Sequence, residues 1–192
     1  DLASLQNMQN NTYDENLADS KNLMELFVSI YQSRKIVIAQ VEGAALAGGC
    51  GLATICDFCF ATPESKFAYT EVKIGFVPAI VMVFLIRKVG EQTAKRILLT
   101  ADILNADQAK NLQLINEVFE LEDIEEQVFN FAQKLCKNTS SQSLALTKQM
   151  IDEVQNRSLI DALNYAAEMN AYARQTSDCK RGINAFLNKE KL

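Results

Sequence analysis

A glycine-rich turn and a single carboxylate are the features of this sequence best suited to chemistry. The apolar residues 36–41 lead into a turn over residues 42–51 with glycine at positions 43, 48, 49 and 51, and Glu71 follows twenty residues after Gly51. Glycines between a strand and a helix let the backbone approach a ligand and direct unpaired N–H groups at it. The pattern suits an oxygen that becomes anionic while a carboxylate moves protons. Glycines here also permit close helix packing, so the turn alone leaves both interpretations open.

The elements that must position these residues alternate between helix and strand. Apolar periodicity and turn residues predict, in order, a helix at 14–33, a strand at 36–41, a short helix ending at 55, strands at 57–61 and 66–69, and an apolar helix from 78 to about 90. Alternation of this kind predicts a parallel sheet with helical crossovers. Chemistry in such folds gathers at strand ends, where we expect Gly48 and Glu71 to lie.

The second half of the chain is predicted to be mostly helical. Its helical patterns cover 92–100, 107–112, 124–136, 141–155, 158–173 and 177–190, and residues 114–119 are predicted to be extended. No internal repeat or low-complexity linker interrupts them. We therefore predict a core over residues 1–122 and a helical assembly region over residues 123–192.

Composition narrows the class of protein. The 192 residues are 48% hydrophobic and 22% charged, which fits a globular chain long enough to bury a core. The net charge of −5 and the absence of a dense Lys/Arg run argue against nucleic-acid binding. The longest apolar run, residues 76–86, is too short to span a bilayer, so no membrane partner is predicted.

The counts of histidine and cysteine argue against several kinds of catalytic, metal and disulfide site. Histidine is absent, which rules out His-dependent triads and His metal ligands. Five cysteines are an odd number and make a poor disulfide framework. Cys56 and Cys59 match a C-x-x-C spacing, but in a strand-like run residues three apart point to opposite faces. We therefore predict no metal site, buried reduced thiols and a cytoplasmic localisation.

Longer motifs extend over nearly the whole chain. The most specific are A-x-x-A-G-G-C-G-L-A at 44–53, F-A-Y-T-E-V-K-I-G-F-V-P at 67–78 and G-x-x-A-F-L-x-K at 182–189. Shorter matches are C-D at 56–57, G-E at 90–91, L-L-T at 98–100, A-x-x-A at 106–109 and L-I-N-E-V at 114–118. In this order and spacing they resemble the crotonase superfamily, the enoyl-CoA hydratases and isomerases.

The resemblance implies an α/β crotonase-like fold, a ββα spiral with a C-terminal helical block. Members of that family carry several strands ahead of a segment similar to Asp1 and Leu2, so we expect the N-terminal part of the fold to be missing from this sequence. The residue before that Asp usually supplies one of two backbone N–H groups that form an oxyanion hole. The resemblance also implies trimers or dimers of trimers.

The family's functional positions match residues here. Gly48 matches the second oxyanion donor and Glu71 the catalytic general acid and base, while Asp57 is expected to be a structural anchor. The resemblance further implies substrate binding near the following residues: Leu2, Gly49, Gly51, Phe186 and Lys189. Of these, Phe186 and Lys189 match positions that contact the adenine and phosphates of coenzyme A, often across a subunit boundary. No cofactor is implied, because coenzyme A is part of the acyl-CoA substrate.

Two departures from the hydratase pattern leave the reaction open. Gly51 stands where hydratases usually place a first glutamate, and residues 79–83 replace a glycine-rich run. A single Glu71 suffices for an enoyl-CoA isomerase. Residues 75–79, however, resemble a bacterial branch often assigned to methylglutaconyl-CoA hydration. We therefore expect a hydratase that adds water to a 2-enoyl-CoA, with an isomerase as the alternative. A non-catalytic CoA-binding member is a third possibility.

Overall fold

A small parallel sheet forms the first of two strand layers in the structure, a computed structural model that describes residues 9–189. Its strands are β1 (Ile38–Val41), β3 (Phe58–Ala61) and β6 (Glu117–Val118), paired in the order β1-β3-β6. Both pairings are parallel. The predicted parallel sheet with crossovers is therefore confirmed in this layer.

The second sheet positions the glycine turn. Its strands are β2 (Ala44–Leu46), β4 (Lys66–Ala68) and β5 (Leu104–Asn105), in that order. β2 and β4 are parallel, with Leu46 opposite Ala68, so their carboxyl ends lie side by side. β5 pairs antiparallel with β4. The sequence predicts neither β2, whose residues fall inside the predicted turn over 42–51, nor β5, which is only two residues long.

Helices cover most of the remaining described chain. In order they are α1 (Tyr13–Tyr31), α2 (Gly48–Ile55), α3 (Ala79–Thr100), α4 (Ala106–Asn111), α5 (Ile124–Asn138), α6 (Ser141–Val154), α7 (Leu159–Gln175) and α8 (Ser177–Asn188). A short 3₁₀ helix, Glu71–Ile74, lies between β4 and α3. Gly90 breaks α3 with a φ of 76°, where the predicted helix ends. These elements confirm the predicted helices, with bounds shifted by a few residues.

Local capping explains several helix starts. At α1, the Thr12 hydroxyl accepts a hydrogen bond from the Glu15 N–H at 3.3 Å, and the Glu15 carboxylate accepts one from the Thr12 N–H at 2.7 Å. Asn105 and Gln108 form the same reciprocal pair at the start of α4. Each capping side chain typically contributes about 1 kcal/mol, because it satisfies N–H groups that have no partner within the helix.

The core lies around α2, which packs against β2, β1, α1 and α3. Phe27, Cys50, Phe67, Leu85 and Leu114 are among its fully buried side chains. Burying a Leu or Phe side chain contributes roughly 1.5–3 kcal/mol. The helix that carries the glycine turn is therefore held on several sides.

Asp57 is a structural anchor, as predicted. One of its carboxylate oxygens accepts a hydrogen bond from the Val37 N–H at 2.7 Å and pairs with the Lys148 ammonium at 2.7 Å. The Lys148 ammonium also donates to the Lys35 carbonyl at 3.2 Å. Because both charged side chains are mostly buried, this pair ties α6 to the segment that enters β1.

The C-terminal helices differ in how they contact the sheets. The Phe131 ring of α5 packs on Phe58 and Phe60 of β3, with ring centroids 4.7 and 5.1 Å apart. Helix α8, by contrast, packs mainly on α6 and α7. A domain boundary at residues 122–123 stays a prediction. Over residues 9–189, no helix is both long and apolar enough to cross a membrane.

The C-x-x-C residues occupy different elements. Cys56 caps the C-terminus of α2, whereas Cys59 lies within β3. The expectation that both lie in one strand is therefore wrong, because the strand begins only at Phe58. Both thiols are buried and free, as predicted, whereas Cys136 is exposed and Cys179 is half-buried, so the prediction of buried thiols is wrong for those two. Burial raises the pKa of the Cys59 thiol to about 12, so it stays protonated.

Candidate active site

The glycine turn joins the end of β2 to the start of α2. Gly48 and Gly49 form the first residues of that helix, and both are exposed. The first N–H groups of a helix have no partner inside it, and the helix dipole adds positive character there. The structure therefore provides a place at which an oxygen carrying negative charge would be stabilised.

The backbone conformation of Ala47 orients the peptide group that carries the Gly48 N–H. It has a φ of 49° and a ψ of −125°, a left-handed conformation that an alanine rarely adopts. Such a conformation costs on the order of 1–3 kcal/mol and persists only where the surroundings enforce it. Here the Ala47 N–H donates a 2.7 Å hydrogen bond to the Ala68 carbonyl at the end of β4.

Glu71 begins the 3₁₀ helix that follows β4. Its carbonyl accepts a hydrogen bond from the Phe76 N–H at 3.0 Å, and Gly75 ends the helix with a φ of 77°. The open left-handed conformation suits glycine and turns the chain toward α3. Leu46 and Ala68 are register partners, so Gly48 and Glu71 follow the carboxyl ends of neighbouring parallel strands.

One oxygen of the Glu71 carboxylate is removed from solvent. Its Oε2 atom is buried and has no hydrogen-bond partner among residues 9–189. Burial raises the pKa of Glu71 above its ordinary value, although its own backbone N–H partly lowers it. Within the same residues, no charged neighbour contributes to the shift. A desolvated carboxylate whose pKa lies closer to neutrality is suited to both accept and return a proton.

A buried polar cluster ties α2 to the Glu71 segment. The Thr54 hydroxyl lies 2.7 Å from the Tyr69 hydroxyl and bonds to the Cys50 carbonyl at 2.9 Å. Burial raises the pKa of Tyr69 well above its usual value and that of Cys50 to about 12, so both groups remain neutral. The sequence motifs do not predict this cluster. A hydroxylated aromatic residue two positions before Glu71 was the available signal.

The glycines of the turn have different surroundings. A Cβ atom added at Gly48 or Gly49 would meet nothing within 4 Å. A Cβ at Gly51 would lie 2.3 Å from the Val81 Cγ1 atom and 3.2 Å from the Phe27 Cε1 atom. Gly51 is therefore closely packed. Its role in binding substrate stays a prediction, as does that of Gly49.

The remaining predicted binding residues lie elsewhere. Phe186 and Lys189 are exposed at the end of α8, with Phe186 at 83% exposure. Helix α8 packs mainly on α6 and α7. Phe186 and Lys189 therefore do not lie beside Gly48 and Glu71 of the same chain. Leu2 lies outside the described residues.

Comparison with known proteins identifies the family. The family model described as enoyl-CoA hydratase/isomerase matches residues 3–192. The chain belongs to that family. The predicted crotonase-like fold and membership in a family of enoyl-CoA enzymes are thereby confirmed.

Individual relatives agree with this assignment. A Thermus thermophilus protein provisionally described as an enoyl-CoA hydratase is 41% identical over 189 residues, which are 98% of this chain and 74% of the relative. A crotonyl-CoA hydratase from Syntrophomonas wolfei is 35% identical over 87% of this chain and 64% of its own length. A Legionella pneumophila crystal structure, provisionally described as an enoyl-CoA hydratase/isomerase (crotonase), superimposes with a TM-score of 0.87. It is 35% identical over all of this chain and 74% of the other.

The raised pKa of Glu71 predicts a specific pH dependence of stability. Between the ordinary carboxyl pKa of 4.5 and the raised folded value, the folded state retains a proton that the unfolded state has lost. The contribution of Glu71 to the free energy of unfolding therefore decreases as the pH rises from 4.5 to the raised pKa of the folded state. We expect Glu71→Gln to raise Tm relative to the wild type at pH 8, and to raise it less at pH 4.

Thermal unfolding of both proteins across this pH range is the measurement. Glu64→Gln, which changes an exposed carboxylate, serves as the matched control and should show no such trend. A Tm difference between Glu71→Gln and the wild type that does not change with pH would contradict desolvation of Glu71.

Proposed function

We propose that this protein adds water to the double bond of a 2-enoyl-CoA thioester, with Glu71 moving the protons. The observation that carries the proposal is the placement of Gly48 and Glu71 after the adjacent carboxyl ends of β2 and β4. One residue offers a helix-start N–H and the other a desolvated carboxylate. The names of the relatives support hydratase-like activity.

The proposed reaction divides between these two groups. As the water oxygen forms a bond to C3, a water proton passes to the ionised Glu71 carboxylate. The electrons of the C2–C3 double bond move toward the thioester oxygen, where the Gly48 N–H stabilises the enolate. Protonated Glu71 then gives a proton to C2, and the thioester carbonyl re-forms. The product is a 3-hydroxyacyl-CoA, and Glu71 returns to its ionised form.

Among 2-enoyl-CoA thioesters, we propose that the protein prefers a branched, methylglutaconyl-type substrate. Its support is the sequence over residues 75–79, which resembles a bacterial branch often assigned to that reaction. Three exposed apolar side chains near this segment, Ile74, Phe76 and Val77, offer surface that an acyl chain could cover. Comparing methylglutaconyl-CoA with crotonyl-CoA by kcat/KM tests the preference, and a higher value for crotonyl-CoA would contradict it.

Isomerisation of a 3-enoyl-CoA is the second candidate. The observation that favours it is Gly51, which has no side chain to hold a water molecule and no room for one beside Val81. One carboxylate can remove a proton from C2 and return it to C4, which shifts the double bond without water. The same Glu71 and Gly48 would serve this reaction.

A product assay separates the two reactions. The full-length protein is given a 2-enoyl-CoA and a 3-enoyl-CoA in separate reactions, and the products are resolved by chromatography. We expect a 3-hydroxyacyl-CoA from the 2-enoyl substrate. Formation of the 2-enoyl form from the 3-enoyl substrate without hydration would instead establish isomerisation. In either case Glu71→Gln should lower kcat by about 100- to 10,000-fold, because general acid–base catalysis contributes that range.

Retention of acyl-CoA binding by Glu71→Gln controls for loss of fold. Full turnover by this variant would show that the proton-transfer role belongs to another residue. If the wild type binds acyl-CoA but converts neither substrate, a non-catalytic binding member becomes the better description.

The oxyanion role of Gly48 predicts a contrast between two substitutions. Proline lacks an N–H group and also restricts the conformation of the preceding Ala47, whereas alanine keeps the N–H group. Since a Cβ at Gly48 meets no atom within 4 Å, the alanine fits. Gly48→Pro should lower kcat by about 100- to 1,000-fold, the usual loss for one oxyanion donor, and Gly48→Ala by far less.

Steady-state kinetics and thermal unfolding of both variants are the measurements. Equal losses of kcat in two folded variants would indicate that space at position 48, rather than its N–H, matters.

We further propose that acyl-CoA binding is completed in a homotrimer or homohexamer. Phe186, Leu187 and Ile183 are exposed apolar residues on α8, which suits a helix that is covered in an assembly. This arrangement would bring Phe186 and Lys189 to the substrate of a neighbouring subunit. Light scattering should give a mass of three or six chains, and a monomer would count against the proposal.

A further inference from the structure

Lys88 of α3 contacts the C-terminal end of α2. Its ammonium donates hydrogen bonds to the Thr54 carbonyl at 2.5 Å and to the Cys56 carbonyl at 3.3 Å. Thr54 lies in the last turn of α2, which ends at Ile55, and Cys56 is the C-cap residue. Carbonyl groups at the end of a helix have no partner within it, so Lys88 satisfies acceptors that α2 leaves open.

The charge of Lys88 lies in a partly desolvated place. Lys88 is half-buried, and among residues 9–189 its ammonium forms no ion pair with a carboxylate. The neighbouring Asp57 carboxylate is instead paired with Lys148 at 2.7 Å. Burial lowers the pKa of Lys88 below its ordinary value, which reflects the partial exclusion of water from the group. Its electric field is therefore screened less than that of a surface lysine.

Helix α2 connects this charge to the proposed oxyanion donor. Its eight residues run from Gly48 to Ile55, a length of about 12 Å. An α-helix carries positive character at its N-terminus and negative character at its C-terminus. In so short a helix, the negative end opposes the attraction that the positive end exerts on an anion. A cation bound to the C-terminal carbonyls offsets that opposition.

The same end of α2 is tied to the segment that carries Glu71. The Thr54 carbonyl accepts a hydrogen bond from Lys88, while the Thr54 hydroxyl lies 2.7 Å from the Tyr69 hydroxyl. Tyr69 comes two residues before Glu71. Thr54 therefore joins α3, α2 and the Glu71 segment through two polar contacts.

We propose that Lys88 is a positioning residue for the reaction, which holds the C-terminal end of α2 and strengthens the stabilisation of negative charge at the Gly48 N–H. The inference rests on the proposed function, which places the enolate oxygen at Gly48. Two unit charges about 12 Å apart, at an effective dielectric constant of about 20, interact by an amount equivalent to roughly a tenfold change in an equilibrium constant. We therefore expect loss of the charge to disfavour the enolate by about 3- to 10-fold.

The enolate of a bound 3-ketoacyl-CoA measures this effect without turnover. Acetoacetyl-CoA loses a C2 proton readily because two carbonyl groups flank that carbon, and its enolate absorbs at a longer ultraviolet wavelength than its keto form. With ligand saturated by the full-length protein at one pH, Lys88→Met should lower the enolate-to-keto ratio by about 3- to 10-fold. In turnover of a 2-enoyl-CoA, this variant should lower kcat by a similar factor and leave KM nearly unchanged.

Three further variants separate charge from packing. Lys88→Arg keeps the charge and should retain most of the wild-type ratio. Lys95→Met is the matched control, because it removes an exposed charge from the same helix, where Lys95 pairs with Glu91 at 2.5 Å, and it should leave the ratio unchanged. If Lys88→Met does not fold, Lys88→Gln provides the comparison, since its amide can donate a hydrogen bond but carries no charge.

An unchanged ratio in the folded Lys88→Met or Lys88→Gln variant would overturn the inference, even if Tm falls, because the contact would then be only structural. Equal losses in the Lys88→Met and Lys95→Met variants would also overturn it. A wild type that binds acetoacetyl-CoA but forms no enolate would contradict the oxyanion role of Gly48, and the inference with it. An enolate that forms in the wild type and is unaffected by Lys88→Met would contradict the inference alone.

Discussion

The candidate site depends on the parallel pairing of β2 with β4. The register places Leu46 opposite Ala68, and the Ala47 N–H extends the pairing by donating a 2.7 Å hydrogen bond to the Ala68 carbonyl. Two residues after Leu46 comes Gly48, and three residues after Ala68 comes Glu71. Because this one pairing fixes the ends of both strands, it also fixes the backbone from which the Gly48 N–H and the Glu71 side chain extend.

The surrounding structure offsets unfavourable features at the site. Ala47 adopts a left-handed conformation, and Glu71 buries a carboxylate oxygen without a partner among residues 9–189. Each feature lowers the stability of the folded protein. The core around α2 and the hydrogen bond between Thr54 and Tyr69 hold the two segments in place despite that cost. Such local conflicts are typical of functional sites, where stability is exchanged for a prepared geometry.

The glycines of the turn show that one residue type can serve opposite purposes. At Gly48 and Gly49 the missing side chain leaves the helix start open. At Gly51 it allows Val81 and Phe27 to pack against the backbone. The first arrangement leaves room for a ligand oxygen. The second leaves no room for a side chain at position 51 while Val81 is in place. The missing side chain at position 51 is thus matched by the bulk of Val81.

The sequence predicts the helices, the strands β1, β3 and β4, the strand end before Glu71 and the break at Gly90, but neither β2 nor β5. These features follow from apolar periodicity and from glycine and proline, which act on the local backbone. Tertiary contacts set the packing of Gly51, the burial of Glu71, the antiparallel β5 and the pairing of Asp57 with Lys148, which are 91 residues apart. Each of these depends on residues that are distant in the chain, and no local pattern encodes which distant side chain will fill a space or remove water from a charge.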